Sequence, residues 1–145
     1  MTATSTGIRC FPVRYGPGTE IVSSVHQMME ANQLKSVFIM SCVGSVRSAK
    51  LRMPATGEFK ELTTPHEIVS LVGTFDEKIH HLHGSFSNSQ GNVIGGHIQG
   101  ESLIVFTTAE LMLAECEDVT FSREYDPESG YDELVIHKKS SIGDK

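Results

Sequence analysis

Apolar residues recur at helical spacing in one segment near the start of the chain. From Ile21 to Met29 they form a single face, and the intervening polar residues lie largely off it. The Gly16-Pro17-Gly18 sequence interrupts the chain just before this segment. The pattern therefore predicts one amphipathic helix near Thr19–Asn32, with Thr19 as its N-cap and Asn32 as a left-handed stop.

Most of the remaining chain consists of short apolar or alternating runs separated by turn residues, which is the pattern of strands. For Leu111–Glu115 we favour a strand over a helix. The predicted strands are Ile8–Tyr15, Val37–Met40 with a continuation through Val46–Met53, Glu58–Leu62, His66–Phe75, Ile79–Ser87, Asn92–Gln99, Ser102–Thr108, Leu111–Glu115, Phe121–Tyr125 and Tyr131–His137.

One helix with many short strands is typical of an α+β domain. We expect a mainly antiparallel, curved β-sheet with one principal amphipathic helix packed on it. The expected domain covers residues 8–138, between flexible tails at 1–7 and 139–145.

The charge balance is acidic, with 18 Asp and Glu against 12 Lys and Arg. It argues against a large phosphate-binding surface, because nucleic-acid affinity depends on clustered positive charge. The three cysteines form no close-spaced pair, which argues against a disulfide framework or a cysteine-rich zinc site. Residues 1–7 lack the charged start and apolar stretch of a signal peptide. We expect a cytoplasmic protein without a membrane span, and a nuclear location stays open.

Three histidines form the most informative feature of the sequence. His81 and His83 project from the same face of their strand, because positions i and i+2 share a face. His97 lies on the next strand, across the loop Asn88-Ser89-Gln90-Gly91. It joins the other two only if the hairpin loop holds an odd number of residues, since an even loop places it on the opposite face. We also expect Gly84, Gly95 and Gly96 to leave open space around the imidazoles.

Three neutral imidazoles could bind a divalent metal, with Zn²⁺ as the first candidate and Ni²⁺, Fe²⁺ and Cu²⁺ as alternatives. Three protein ligands leave one position for water or another ligand. Glu67, Ser85 and Arg123 are candidate supporting groups around the site. The alternative is that the histidines are hydrogen-bonded structural residues. No nucleophile turn, phosphate loop or dinucleotide fingerprint is present, so whether the protein is an enzyme stays open.

Several segments in the same order resemble one family over nearly the whole chain, from about Ile8 to His137. That family is the PPC domain, the "plants and prokaryotes conserved" domain. The matching segments are Arg14 with Pro17-Gly18, Val37–Val46 leading into Arg47, Glu67–Gly73, His81–Ser85, Gly91–His97, and Arg123 with Asp126–Tyr131. Two small departures are Gly84, where alanine is common, and the neighbouring His80.

The resemblance implies a compact α+β fold, a homotrimer and, as in some prokaryotic relatives, a metal held by His81, His83 and His97. In plant members, the domain comes after an AT-hook, a short basic segment that enters the DNA minor groove. No such segment is present here, so the DNA-binding role of the plant members does not transfer. We therefore favour a homotrimer with a metal site that binds a small molecule or supports a metal-assisted reaction. The alternatives are a transcription-linked module and a pure assembly domain.

Overall fold

The amphipathic segment near the start of the chain forms helix α1 (Ile21–Ala31) in the computed structural model, which describes residues 2–140. The N-cap is Glu20 rather than the predicted Thr19, because the Glu20 carboxylate accepts a hydrogen bond from the Ser23 amide at 2.7 Å. The helix stops before Asn32 as predicted. Asn32 is not left-handed, however; Gln33 adopts that conformation, with φ of 56°.

Nine strands account for most of the remaining described residues. They are β1 (Ile8–Tyr15), β2 (Val37–Arg52), β3 (Phe59–Leu62), β4 (His66–Phe75), β5 (His80–Ser87), β6 (Val93–Ile98), β7 (Ile104–Cys116), β8 (Val119–Asp126) and β9 (Tyr131–Lys138). Two of the strands each cover two of the apolar segments identified in the sequence. β2 passes through Gly44, and β7 joins the segments predicted as Ser102–Thr108 and Leu111–Glu115.

Seven strands form one sheet and the remaining two form a separate hairpin. The order in the large sheet is β1-β7-β2-β4-β5-β6, with β3 paired to β2, and all pairings are antiparallel. The end of β2 also pairs with β6, so the strands β2, β4, β5 and β6 close on themselves. Among the described residues, strands β8 and β9 pair only with each other. The expected mainly antiparallel α+β fold is confirmed.

The core lies between α1 and the inner face of the large sheet. The helix contributes Ile21, Val22, Val25 and Met29, all nearly inaccessible to solvent. Alternate residues of the strands point toward them, including Leu82 of β5. Burial of this apolar surface is the main stabilising contribution to the fold. Within residues 2–140, no helix is both long enough and apolar enough to cross a membrane.

The expected tails lie partly outside the described residues, namely residue 1 and residues 141–145. Closer to the domain, the Gly7 amide donates a hydrogen bond to the Asp118 carboxylate at 2.7 Å. The Lys139 amide donates to the Asp118 carbonyl at 2.9 Å. Both of these flanking segments therefore contact the turn between β7 and β8.

Candidate metal centre

Strand pairing brings His81, His83 and His97 together. His81 and His83 lie on the same face of β5, and Leu82 between them is buried in the core. His97 of β6 pairs directly with His83. The hairpin loop runs from Asn88 to Asn92, five residues rather than the four-residue segment suggested by the turn motif. The odd-loop condition for a shared face is therefore met.

The ligand atoms of the three histidines lie within 4.8 Å of one another. The ring centroids are separated by 5.1 Å for His81 and His83, 5.3 Å for His81 and His97, and 5.6 Å for His83 and His97. Within residues 2–140, none of these rings forms a hydrogen bond to another protein group. Their nitrogens are therefore free to bind a ligand.

The surroundings favour the neutral form of two of these imidazoles, those of His81 and His97. Burial is the main reason that the pKa of His97 is lowered to about 4, and the positive charge of Arg52 acts in the same direction. Burial also lowers the pKa of His81, with His83 and Arg123 adding to the effect and Glu133 opposing it. A neutral ring is the form that binds a metal, because a proton on the ligating nitrogen competes with the ion.

His80 points away from the cluster and does not compete as a ligand. Its ring lies 6.3 Å from the rings of both His26 and Phe75, beside the helix. Gly84 also faces inward, where a Cβ atom would lie 2.8 Å from the ring of Phe86. The expectation that Gly84 opens space around the imidazoles is therefore wrong. Its missing side chain makes room for core packing.

The three candidate supporting groups differ in whether they line a cavity with the histidines. Arg123 of β8 lines a cavity with His81 and His83. Ser85 follows His83 on the same face, but its hydroxyl bonds to that of Ser70 at 2.6 Å. Glu67 pairs with Ser87 at the far end of β5, and it does not line the cavities around the cluster. Of the three, only Arg123 lines a cavity together with the histidines.

The position of Arg123 is set by a buried ion pair. Its Nε atom lies 3.3 Å from an Asp76 carboxylate oxygen, and its Nη2 donates to the Thr74 hydroxyl at 3.0 Å. The side chains of Arg123 and Asp76 are only 6% and 7% exposed. The other Asp76 oxygen accepts hydrogen bonds from the Lys78 and Ile79 amides. Arg123 therefore anchors the β8–β9 hairpin beside the start of β5.

Arg52 is a neighbour of the cluster that the sequence did not indicate. It is the last residue of β2 and pairs with His97 across the closure between β2 and β6. It lines a cavity of about 460 Å³ with the three histidines, Gly95 and Gly96. The pairing joins segments distant in sequence, and no local pattern predicts it.

A family model matches residues 2–117 of this chain, and it describes the Plants and Prokaryotes Conserved (PCC) domain. The chain belongs to this family. The resemblance inferred from the sequence is therefore confirmed. The match includes all three histidines of the cluster and ends before the β8–β9 hairpin.

Solved structures share this architecture closely. A hypothetical protein from Salmonella enterica superimposes with a TM-score of 0.90 at 35% identity, over 94% of this chain and 99% of that chain. A metal-containing protein from Archaeoglobus fulgidus superimposes with a TM-score of 0.74 at 26% identity, over 93% of this chain and 99% of that one.

Among curated proteins, the bifunctional protein GlmU from Synechococcus sp. (strain JA-3-3Ab) is 36% identical over 131 residues, which is 90% of this chain. The PCC chain spans only 21% of the length of that relative. In that relative, the matching region is therefore one part of a longer protein.

Proposed function

We propose that this PCC protein binds one divalent metal ion, zinc as the first candidate, through His81, His83 and His97. The main observation is that three imidazoles without a hydrogen-bond partner among residues 2–140 have their ligand atoms within 4.8 Å of one another. Burial is the main cause of a lowered pKa at two of them, His81 and His97. The Archaeoglobus relative, which is a metal-containing protein of the same fold, supports the proposal.

The donor set fits zinc. Nitrogen ligands at about 2.0–2.1 Å around a tetrahedral ion lie about 3.3 Å apart, so the ligand atoms, now within 4.8 Å of one another, would move closer together around the ion. Three protein ligands leave a fourth position open, as in catalytic rather than structural zinc sites. A bound ion would polarise a carbonyl group or lower the pKa of a bound water. We therefore infer a role in binding a small molecule or in a metal-assisted reaction.

We propose further that the protein acts as a homotrimer. The outer face of the large sheet carries apolar side chains that are between 37% and 59% exposed, which is unusual for a face in contact with water. A cyclic assembly of identical chains would cover this face. The apolar side chains are Met40, Val43, Val69, Val72, Phe106 and Met112.

Alanine substitution tests the metal site. We expect His81→Ala, His83→Ala and His97→Ala each to lower zinc affinity by at least about tenfold, because loss of one ligand leaves only two. Zinc content after purification without a histidine tag, together with competition titration against a chromophoric chelator, gives the measurement.

His137→Ala is the matched control, because His137 lies on β9 and hydrogen-bonds to Ser122 at 2.7 Å, outside the cluster. It should bind zinc like the parent protein. Circular dichroism of each metal-free variant checks the fold. Three cluster variants with parental zinc affinity would refute the proposal.

A further inference from the structure

We propose that Arg52 binds the charged end of a small oxyanion, a carboxylate or phosphate group, in the cavity that it shares with the three histidines. This inference rests on the proposed function for the identity of the site, and it adds the chemical class of the ligand. The residues that line this cavity, called the Arg52 pocket below, are Arg52, Met53, Pro54, Gly95, Gly96 and the three histidines.

The guanidinium of Arg52 has no acidic partner among the described residues. Within residues 2–140 it forms no ion pair and no side-chain hydrogen bond, unlike Arg9 with Glu115 and Arg123 with Asp76. Its five N–H donors suit an oxyanion, which accepts two parallel hydrogen bonds from one guanidinium. A half-buried arginine without a carboxylate partner therefore has capacity for a ligand.

The fold holds this guanidinium beside the histidines. Arg52 lies over the ring of Tyr131, with 5.6 Å between the guanidinium carbon and the ring centroid, a cation–π distance. Its backbone is next to Gly96, where a Cβ atom would lie 3.1 Å from the Arg52 carbonyl oxygen and 2.8 Å from Met53 Cε. A glycine at this position thus permits the close approach of β2 and β6.

The distribution of charged side chains favours an anion in the Arg52 pocket over the neighbouring cavity. No acidic side chain lines the Arg52 pocket within the described part of the chain. A second cavity is also lined by Arg52, His81 and His97, but Asp132 and Glu133 line it together with Arg123. Since carboxylates repel an anion and Arg123 is already paired with Asp76, the favourable position for an anion is in the Arg52 pocket.

Size and lining limit the ligand to a small molecule. A volume of about 460 Å³ is at the lower end of the range for small-molecule sites. Met53 and Pro54 provide an apolar wall, so a short carbon chain can lie against them while the oxyanion contacts Arg52. The three histidines that line the same pocket would then contact the rest of the ligand.

The test uses NMR titration of the full chain with butyrate and with inorganic phosphate, both with and without bound zinc. We expect saturable shifts of the Gly95 and Gly96 amide signals with at least one probe. Arg52→Gln should weaken that binding by at least about tenfold, since it removes the charge, and Arg52→Lys by less. The preferred probe identifies the head group as carboxylate or phosphate.

Further variants separate ligand contact from general effects. Tyr131→Ala should weaken binding, whereas Tyr131→Phe keeps the ring under the guanidinium and should bind like the parent. Arg14→Gln, at the opposite edge of the sheet, controls for the loss of one positive charge and should bind the probe like the parent. Sodium chloride at equal ionic strength controls for screening and should not produce the saturable shifts.

The two proposals fail in different ways. Absence of zinc from the parent protein refutes the metal site, and the zinc-free titration still tests Arg52. Zinc binding with no saturable shift by either probe, or with equal affinity in Arg52→Gln, overturns the anion proposal alone.

Discussion

At the scale of single residues, alternation along β5 places the candidate metal ligands on one face of the strand and core residues on the other. His81 and His83 face the cavities, whereas Leu82 and Gly84 face the interior. The two-residue period is visible in the sequence, so this part of the site was predictable. The packing of Gly84 against Phe86 was not, because it depends on the side chain two residues later folding back toward the glycine.

The lowered pKa of His97 makes a prediction about acid stability. The pKa of His97 is about 4 in the folded protein, against an ordinary value of 6.5. The folded, metal-free protein therefore takes up this proton at a lower pH than the unfolded chain does. The stability that depends on neutral His97 is therefore complete above the ordinary value and is lost as the pH falls toward about 4. An NMR titration of the His97 ring should show its midpoint near that lower value.

Denaturation of a variant checks the same linkage independently. Between about pH 7 and about pH 4.5, the free energy of unfolding should fall less in His97→Ala than in the parent protein, because the variant lacks the group that resists protonation. A His97 midpoint near the ordinary imidazole value, or equal losses in the two proteins, would contradict the assignment.

At the scale of elements, the hairpin between β5 and β6 determines whether a three-histidine site exists. Its loop is closed by the Asn88 amide, which donates to the Asn92 carbonyl at 2.9 Å, and the Asn88 side chain accepts from the Gln90 and Asn92 amides. The sequence identified the hairpin and its turn residues. It did not fix the loop length, because Asn92 is equally compatible with the loop and with the first position of the strand.

Pairing between β4 and β5 depends on Gly73, which gives a second prediction. Its φ is 141°, and a Cβ atom there would overlap the carbonyl oxygen of His81. We expect Gly73→Ala to lower the free energy of unfolding by about 1–3 kcal/mol and to weaken zinc binding, because relief of the overlap displaces the His81 backbone. Urea denaturation and zinc competition titration measure the two effects.

Gly100→Ala is the control for backbone strain alone. Gly100 has a φ of 60°, and nothing lies within 4 Å of the position that a Cβ atom would occupy there. This variant should lose some stability through its left-handed backbone and retain parental zinc affinity. Equal zinc affinity in the Gly73 variant and the parent would show that β5 does not move.

At the scale of the whole molecule, closure of β2 against β6 completes the site. Arg52 and His97 are neighbours only through this pairing. Apolar spacing predicts individual strands, but it carries little information on which distant strands pair, and this explains why Arg52 was missed. The same closure leaves an outer face on which Val72 pairs directly with His83, so the apolar surface continues to the edge of the histidine cluster.

The exposed apolar face gives the final prediction, that the protein is a trimer in solution. Light scattering at micromolar concentration should give three times the chain mass of 15.9 kDa. Met40→Asp and Val43→Asp should shift the protein toward the monomer, because burying an unpaired carboxylate in an apolar interface is costly. Ile136→Asp, at a comparably exposed position on the separate β8–β9 hairpin, should leave the trimer intact. A monomeric parent protein would refute the trimer. Met40→Asp and Val43→Asp variants that remain trimeric would instead refute the outer face as its interface.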